Sequence, residues 1–194
     1  MSDTRTRRDP VRTRRALLKA AATAVAAHGA GVSVDVIARA AGVSKSGLLH
    51  HFGSKEQLFT ALAQDAFDQF AAEVEAATDP ADLAPGRLMR GYLRATFAQA
   101  ADPDSADYWA VMAQLAVVPA VAEAARNDFR FWEDRLTADG FDPAVAQLVL
   151  LAAGGLELGE AVGWVPGDDR EQLRDRLLRL TYAADTLRDV LSTT

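Results

Sequence analysis

Apolar residues recur along this 194-residue chain at steps of three and four, and no stretch sustains the period-two alternation of a strand. Ala, Leu, Arg, Glu and Gln fill most positions, and all favour helix. The pattern predicts an all-α protein of about nine helices, with ends marked by proline, glycine and short polar residues. Asp9-Pro10 and Gly29 bracket a first helix over 10–28, with Ala16, Leu17, Ala20, Ala24 and Ala27 on its buried side. Ser33 caps a second over 34–40, Gly42 supplies a turn, and Ser44 caps a third over 45–51. Ser54 opens a fourth, 54–77, by a capping box in which Gln57 reaches back to the Ser54 amide; Leu58, Leu62, Phe67 and Phe70 are its buried positions. Asp79-Pro80 and Ala84-Pro85-Gly86 form a seam, followed by helices over 86–100, 104–117, 119–138, 143–164 and 168–191.

Charge adds an asymmetry that the hydropathy pattern does not show. The net charge is −6, yet residues 1–55 hold ten Lys and Arg against Asp3, Asp9 and Asp35, a net of +7, which leaves −13 on the rest. A basic head on an acidic body is the footprint of a protein whose head alone meets phosphate; a solvated basic tail would look the same. Arg5, Arg7 and Arg8 precede the first helix as an arm that would reach a minor groove or stay in solvent. Arg14-Arg15 and the Ala-rich run after them imitate a secretory signal, but Lys19 interrupts the run and His28-Gly29 stops it as a helix. The longest apolar stretch, 145–164, carries Glu157 and Glu160, so no membrane span is expected and the reading is cytoplasmic.

The three short helices with two tight breaks form a tri-helical DNA-binding unit. Val34, Ile37 and Ala38 are placed to pack against Val43 and Leu48 across the Ala41-Gly42-Val43 turn. That leaves Lys45, Ser46 and His50 on a face free to enter a major groove. The residues around them resemble the TetR family of transcriptional regulators: Val34-Asp35-Val36-Ile37-Ala38, Ala41-Gly42-Val43-Ser44, and the run from Leu48 through His50-His51-Phe52-Gly53-Ser54-Lys55 to Phe59. The resemblance covers roughly residues 10–60. It implies groove-facing positions at Lys45, Ser46, Gly47, Leu49 and His50 and a phosphate contact at Lys55. Ser33 and Ser44 read as caps rather than base readers, and a cap can also touch phosphate. Leu49 stands where the family often has an aromatic, which bears on the half-site sequence. His51 reads as a residue of the corner between the third and fourth helices. The implied organisation is an N-terminal arm and helix-turn-helix domain over 1–55, a connecting helix over 54–77, and a helical effector-binding and dimerisation domain over 78–194.

The body is informative by omission. Beyond residue 55 there is no Lys, His or Cys, and the only serines are Ser105 and Ser192. The usual general base, Schiff-base amine and soft metal ligands are missing, so neither catalysis, a metal nor a cofactor is expected. Large apolar residues suit an effector pocket or an ordinary core: Tyr92, Phe97, Trp109, Met112, Phe129, Trp132 and Trp164. Glu157 and Glu160, one turn apart, would select a cationic or hydrogen-bonding effector, face solvent, or pair with arginine. Self-association is suggested twice. Leu173, Leu177, Leu180, Ala184, Leu187 and Leu191 recur at heptad steps, and Gly155, Gly159 and Gly163 share one helical stripe. Packing within one chain would use the same faces.

These features predict a homodimeric, ligand-responsive repressor that binds a palindromic operator and is released by an apolar or cationic small molecule, whose binding tilts the fourth helix. A DNA-binding regulator controlled by a protein partner, and a helical enzyme or scaffold with an incidental basic head, are the alternatives.

Overall fold

The computed structural model describes residues 10–101, 110–161 and 169–192, all helices and their connections with no strand. The helices are α1 (Pro10–His28), α2 (Val34–Ala40), α3 (Lys45–Phe52), α4 (Lys55–Ala77), α5 (Arg87–Ala101), the helical residues 110–115 (α6), α7 (Pro119–Ala138), α8 (Pro143–Ala161), α9 (Arg170–Tyr182) and α10 (Ala184–Ser192). The all-α expectation holds. No described helix is long and apolar enough to cross a membrane. The arm arginines Arg5, Arg7 and Arg8, together with Trp109, Gly163 and Trp164, lie outside the described residues, as do the side chains of Glu157, Glu160 and Leu191 and the surroundings of Gly159.

Two compact units divide the chain inside α4, after Ala66, and inside α7, after Ala125. The first holds α1, α2, α3, the start of α4, α6 and the start of α7. Its core is built from Leu17, Leu18, Ala21, Ala24 and Val25 of α1, Ile37 and Ala38 of α2, Leu48 and Phe52 of α3, and Leu58, Phe59 and Leu62 of α4. Leu115 and Val121, from the later segment, are buried in the same unit. The buried stripe of α1 is rotated from the expected one: Ala16 and Ala27 are exposed, while Leu18, Ala21 and Val25 turn inward. Alanine is nearly indifferent to burial, so the larger Leu18 and Val25 set the helix's rotation.

In the second unit α5 packs against α8 and α9, and α10 against α8. Asp139, 51 residues away in sequence, accepts from the Leu88 amide at 2.9 Å and so serves the first turn of α5. At Gly91 a Cβ would sit 2.0 Å from Thr78 Oγ1 and 3.0 Å from the Val74 carbonyl, so glycine is what lets α4 and α5 approach. Arg90 is fully buried and multiply satisfied. It grips Asp82 through Nε (2.6 Å) and Nη2 (2.8 Å), donates to the Ala84 and Pro85 carbonyls, and lies 4.3 Å over the Tyr182 ring.

That arginine bears on a correction. The single last helix expected over 168–191 is two, broken at Ala183 (φ −103°, ψ 18°). No proline or glycine marks the break. Thr181 instead turns its hydroxyl to the Leu178 carbonyl (2.7 Å), Arg90 Nη1 reaches that hydroxyl (3.4 Å), and the Ala183 amide bonds Leu180 three residues back. The leucine seam is therefore not continuous on one helix.

Candidate nucleic-acid interface

The surface of the first unit is organised around α3, eight residues long and too short to stand without caps and packing. Ser44 Oγ accepts from the Gly47 amide at 3.0 Å and exchanges a hydrogen bond with Ser46 Oγ at 3.1 Å. A Cβ on Gly47 would lie 3.1 Å from that capping oxygen, so Gly47 keeps the cap open rather than presenting a side chain. Leu48 and Phe52 are buried and fix the helix's rotation. At the other end Gly53 takes a positive φ (75°, with ψ −56°) that favours glycine, and its amide donates to the Leu49 carbonyl. Arg14 of α1 closes the C-terminus, donating to the His51 carbonyl (3.3 Å) with its guanidinium 4.6 Å over Phe52. Sequence reasoning passed over Arg14 as one more basic residue. Arg14 stands between Arg12 and Arg15, and nothing in the sequence shows which of the three meets a helix end.

Secured in this way, α3 exposes Lys45, Ser46, His50 and His51, with Gly47 and Leu49 half-exposed. The expected groove face thus lies on one accessible surface. His50 and His51 meet edge to face at 5.9 Å. Ser33 is exposed and caps α2, accepting from Val36 at 3.3 Å. Lys45 Nζ lies 2.9 Å from Asp35 Oδ2 on α2. Asp35 was absent from the candidate set, since a carboxylate counts against phosphate binding.

Lys55 is more constrained than expected. Its ammonium donates to the Ala30 carbonyl at 2.8 Å and lies 5.2 Å over the Phe59 ring, tying the α1–α2 loop to the start of α4. A protein carbonyl thus takes up part of the ammonium for which the resemblance implied a phosphate. The capping box is only half formed. Ser54 Oγ accepts from the Gln57 amide (3.0 Å), but the Ser54 amide donates to the Phe52 carbonyl rather than to Gln57.

The residues expected around an effector divide between the units. Met112 is buried in the first, and Tyr92, Phe97, Phe129 and Trp132 belong to the second. Phe70, Tyr92 and Trp132 form a mutual edge-to-face triad with centroids 5.0–5.8 Å apart. Asp128 adjoins it. Burial first, and the negative charge of Asp68 second, push its carboxyl up to about 6. The Trp132 indole N–H, which makes no hydrogen bond of normal length, offsets part of that rise. Burial and Asp128 push the Tyr92 hydroxyl above its usual range. A separate groove of about 430 Å³ runs between Glu73 and Ala77 of α4 and Arg94, Ala98 and Gln99 of α5, and none of the expected effector residues lines it.

Of the expected dimer residues, Leu177 is buried within its own unit, Leu173 and Leu187 are half-exposed, and Leu180 is exposed. A Cβ on Gly155 would meet nothing within 4 Å. Leu148 and Leu151, which sequence reasoning did not single out, are 50% and 62% exposed on the same helix.

Comparison with known proteins agrees with this geometry. The family profile of bacterial regulatory proteins, tetR family, matches residues 17–62, and that of the tetracyclin repressor-like C-terminal domain matches residues 86–182. The chain is 30% identical over 126 residues to the HTH-type transcriptional regulator RutR of Escherichia coli (strain K12), covering 64% of this chain and 58% of RutR. It therefore spans less than two thirds of that relative's length. A putative transcriptional regulator from Pseudomonas aeruginosa PAO1 superposes with a TM-score of 0.77 at 20% identity, over 95% of this chain and 98% of that one. EbrR, a multidrug binding protein complexed with malachite green, superposes with a TM-score of 0.70 at 25% identity, over 87% and 97%. The matched profiles, one of them over half the chain, place this chain in the TetR family of bacterial regulatory proteins, which are helix-turn-helix transcriptional regulators and not enzymes.

Proposed function

We propose that the chain is a homodimeric, ligand-responsive repressor that binds a palindromic operator in cytoplasmic DNA and is released by a small-molecule effector. The observation that carries this reading is the α3 surface. A helix held by a serine cap, Arg14 and two buried apolar anchors presents Lys45, Ser46 and His50 together, with Leu49 beside them. Ser33, Ser44, Gly47 and Lys55 complete the DNA-contacting set, the serines and Lys55 toward phosphate. Residues 1–55 read DNA, α4 connects, and 78–194 bind the effector and dimerise.

Dimerisation through α8 and α9 is supported by Leu148, Leu151 and the open surface at Gly155, with Leu173, Leu180 and Leu187 contributing. A two-fold dimer presents two α3 helices to half-sites one helical turn apart, about 34–36 Å. The effector reading is supported by the aromatic triad and the partly desolvated Asp128, which suit an apolar or cationic molecule, and by the likeness to EbrR. Because α4 belongs to both units, a shift of α4 on effector binding changes the separation of the two heads. Footprinting on DNA upstream of the protein's own coding sequence tests the reading. Protection of a palindrome with half-sites one turn apart is the expected result; protection without two-fold symmetry, or none above scrambled DNA, overturns it.

A further inference from the structure

The one lysine of α3 is already paired. Lys45 Nζ meets Asp35 Oδ2 at 2.9 Å across the α2–α3 turn, with 56% and 58% of the two side chains exposed. Exposed pairs of this kind add little to stability. Nor does α2 depend on the bond, since it has its own serine cap and buries Ile37 and Ala38. Asp35 is also the one acidic residue between Asp9 and Glu56 in an otherwise basic head, where a carboxylate repels phosphate.

We propose that Asp35 is a specificity-determining residue: it holds Lys45 in a net-neutral pair, off the phosphate backbone, so that the lysine reads a base edge. This rests on α3 being the DNA-facing helix. A free ammonium on a four-carbon stem is drawn to the densest negative charge available and grips phosphate regardless of sequence. Paired with Asp35, the ammonium sits beside a carboxylate that offsets part of its pull toward phosphate. Two of the three N–H donors remain, and the acceptors that match them in the major groove are guanine O6 and N7. Asp35 thus lowers total affinity and raises discrimination.

The test uses the full chain and duplexes selected from a randomised pool. Affinity for the selected duplex and for a scrambled duplex of equal length is measured across a salt series for the wild type, Asp35→Asn, Lys45→Gln and the double variant. Asp35→Asn is expected to bind the scrambled duplex more tightly and to steepen the log K against log salt slope by about 0.9, one added phosphate contact. Its selected-to-scrambled ratio should fall about tenfold. Lys45→Gln should lose preference at one G·C pair without changing the slope. With Lys45 already replaced, Asp35→Asn should leave the selected-to-scrambled ratio unchanged and tighten scrambled binding by less than it does in the wild type. A wild-type slope and ratio in Asp35→Asn overturns the proposal, as does the same tightening in the Lys45→Gln background, which makes Asp35 a plain repulsive charge. If the wild type selects no duplex over scrambled DNA, the DNA-facing assignment of α3 fails first.

Discussion

At the first turn of α4 a lysine occupies a position where the helix dipole disfavours a cation, and the Ala30 carbonyl is what retains it there. Lys55→Ala should cost about 1–2 kcal/mol of stability, the scale of a charge-assisted hydrogen bond, read by urea denaturation. If the same ammonium also reaches a phosphate, the variant's salt slope for DNA binding flattens by about 0.9. An unchanged slope removes Lys55 from the phosphate contacts and leaves it a structural tie. Asp128 makes a different prediction. Its carboxyl is raised from 3.8 to about 6 in the folded protein, so the native state holds the proton more tightly than the unfolded chain does. Its contribution therefore favours folding below that window and is lost as pH rises from about 4 to 6. Asp128→Asn should flatten this part of the melting profile and raise the thermal midpoint at pH 7 relative to the wild type. A variant whose melts keep the wild-type slope across that window takes Asp128 out of the account. Asp82 runs the opposite way. The hydrogen bonds from Arg90 hold its carboxyl below the usual range, so its contribution is present at neutral pH and lost in acid.

Among the elements, α3 depends on its ends, because eight residues supply few internal hydrogen bonds. Ser44→Ala should destabilise the head by about 1 kcal/mol and Ser44→Gly by only a few tenths, measured by chemical denaturation. Equal losses in the two variants would mean the hydroxyl matters through its bond to Ser46 and not as a cap. The positions of α1 to α5 were legible because each boundary carries a local cause: a proline at the first turn, a capping serine, or a glycine in the left-handed region. Two other features had no such mark. The rotation of α1 was obscured by alanines that serve equally inside or outside, and the Thr181 hydroxyl beside the break at Ala183 is met by Arg90, some ninety residues earlier in the chain. The α3 face was readable for the same local reason as its ends. Asp35, Arg14 and the bond from Lys55 to Ala30 were not, since each depends on a partner brought near only by packing.

For the molecule as a whole, charge is split between a basic head, +7 over residues 1–55, and an acidic remainder, −13, and α8 exposes Leu148 and Leu151, the observations behind the proposed dimer. Replacing both Leu148 and Leu151 by Asp should give a monomer by sedimentation, with operator affinity falling as the two heads lose their coupling. A double variant that stays dimeric places the interface elsewhere. The core of the unit that carries α3 also includes Leu115 and Val121, which lie beyond the first seventy-seven residues of head and connecting helix. During synthesis from the N-terminus, α1 to α3 emerge while that later segment is still unmade. The packing of that later segment can form only once residues 67–106 have also been made, so synthesis completes this unit out of chain order.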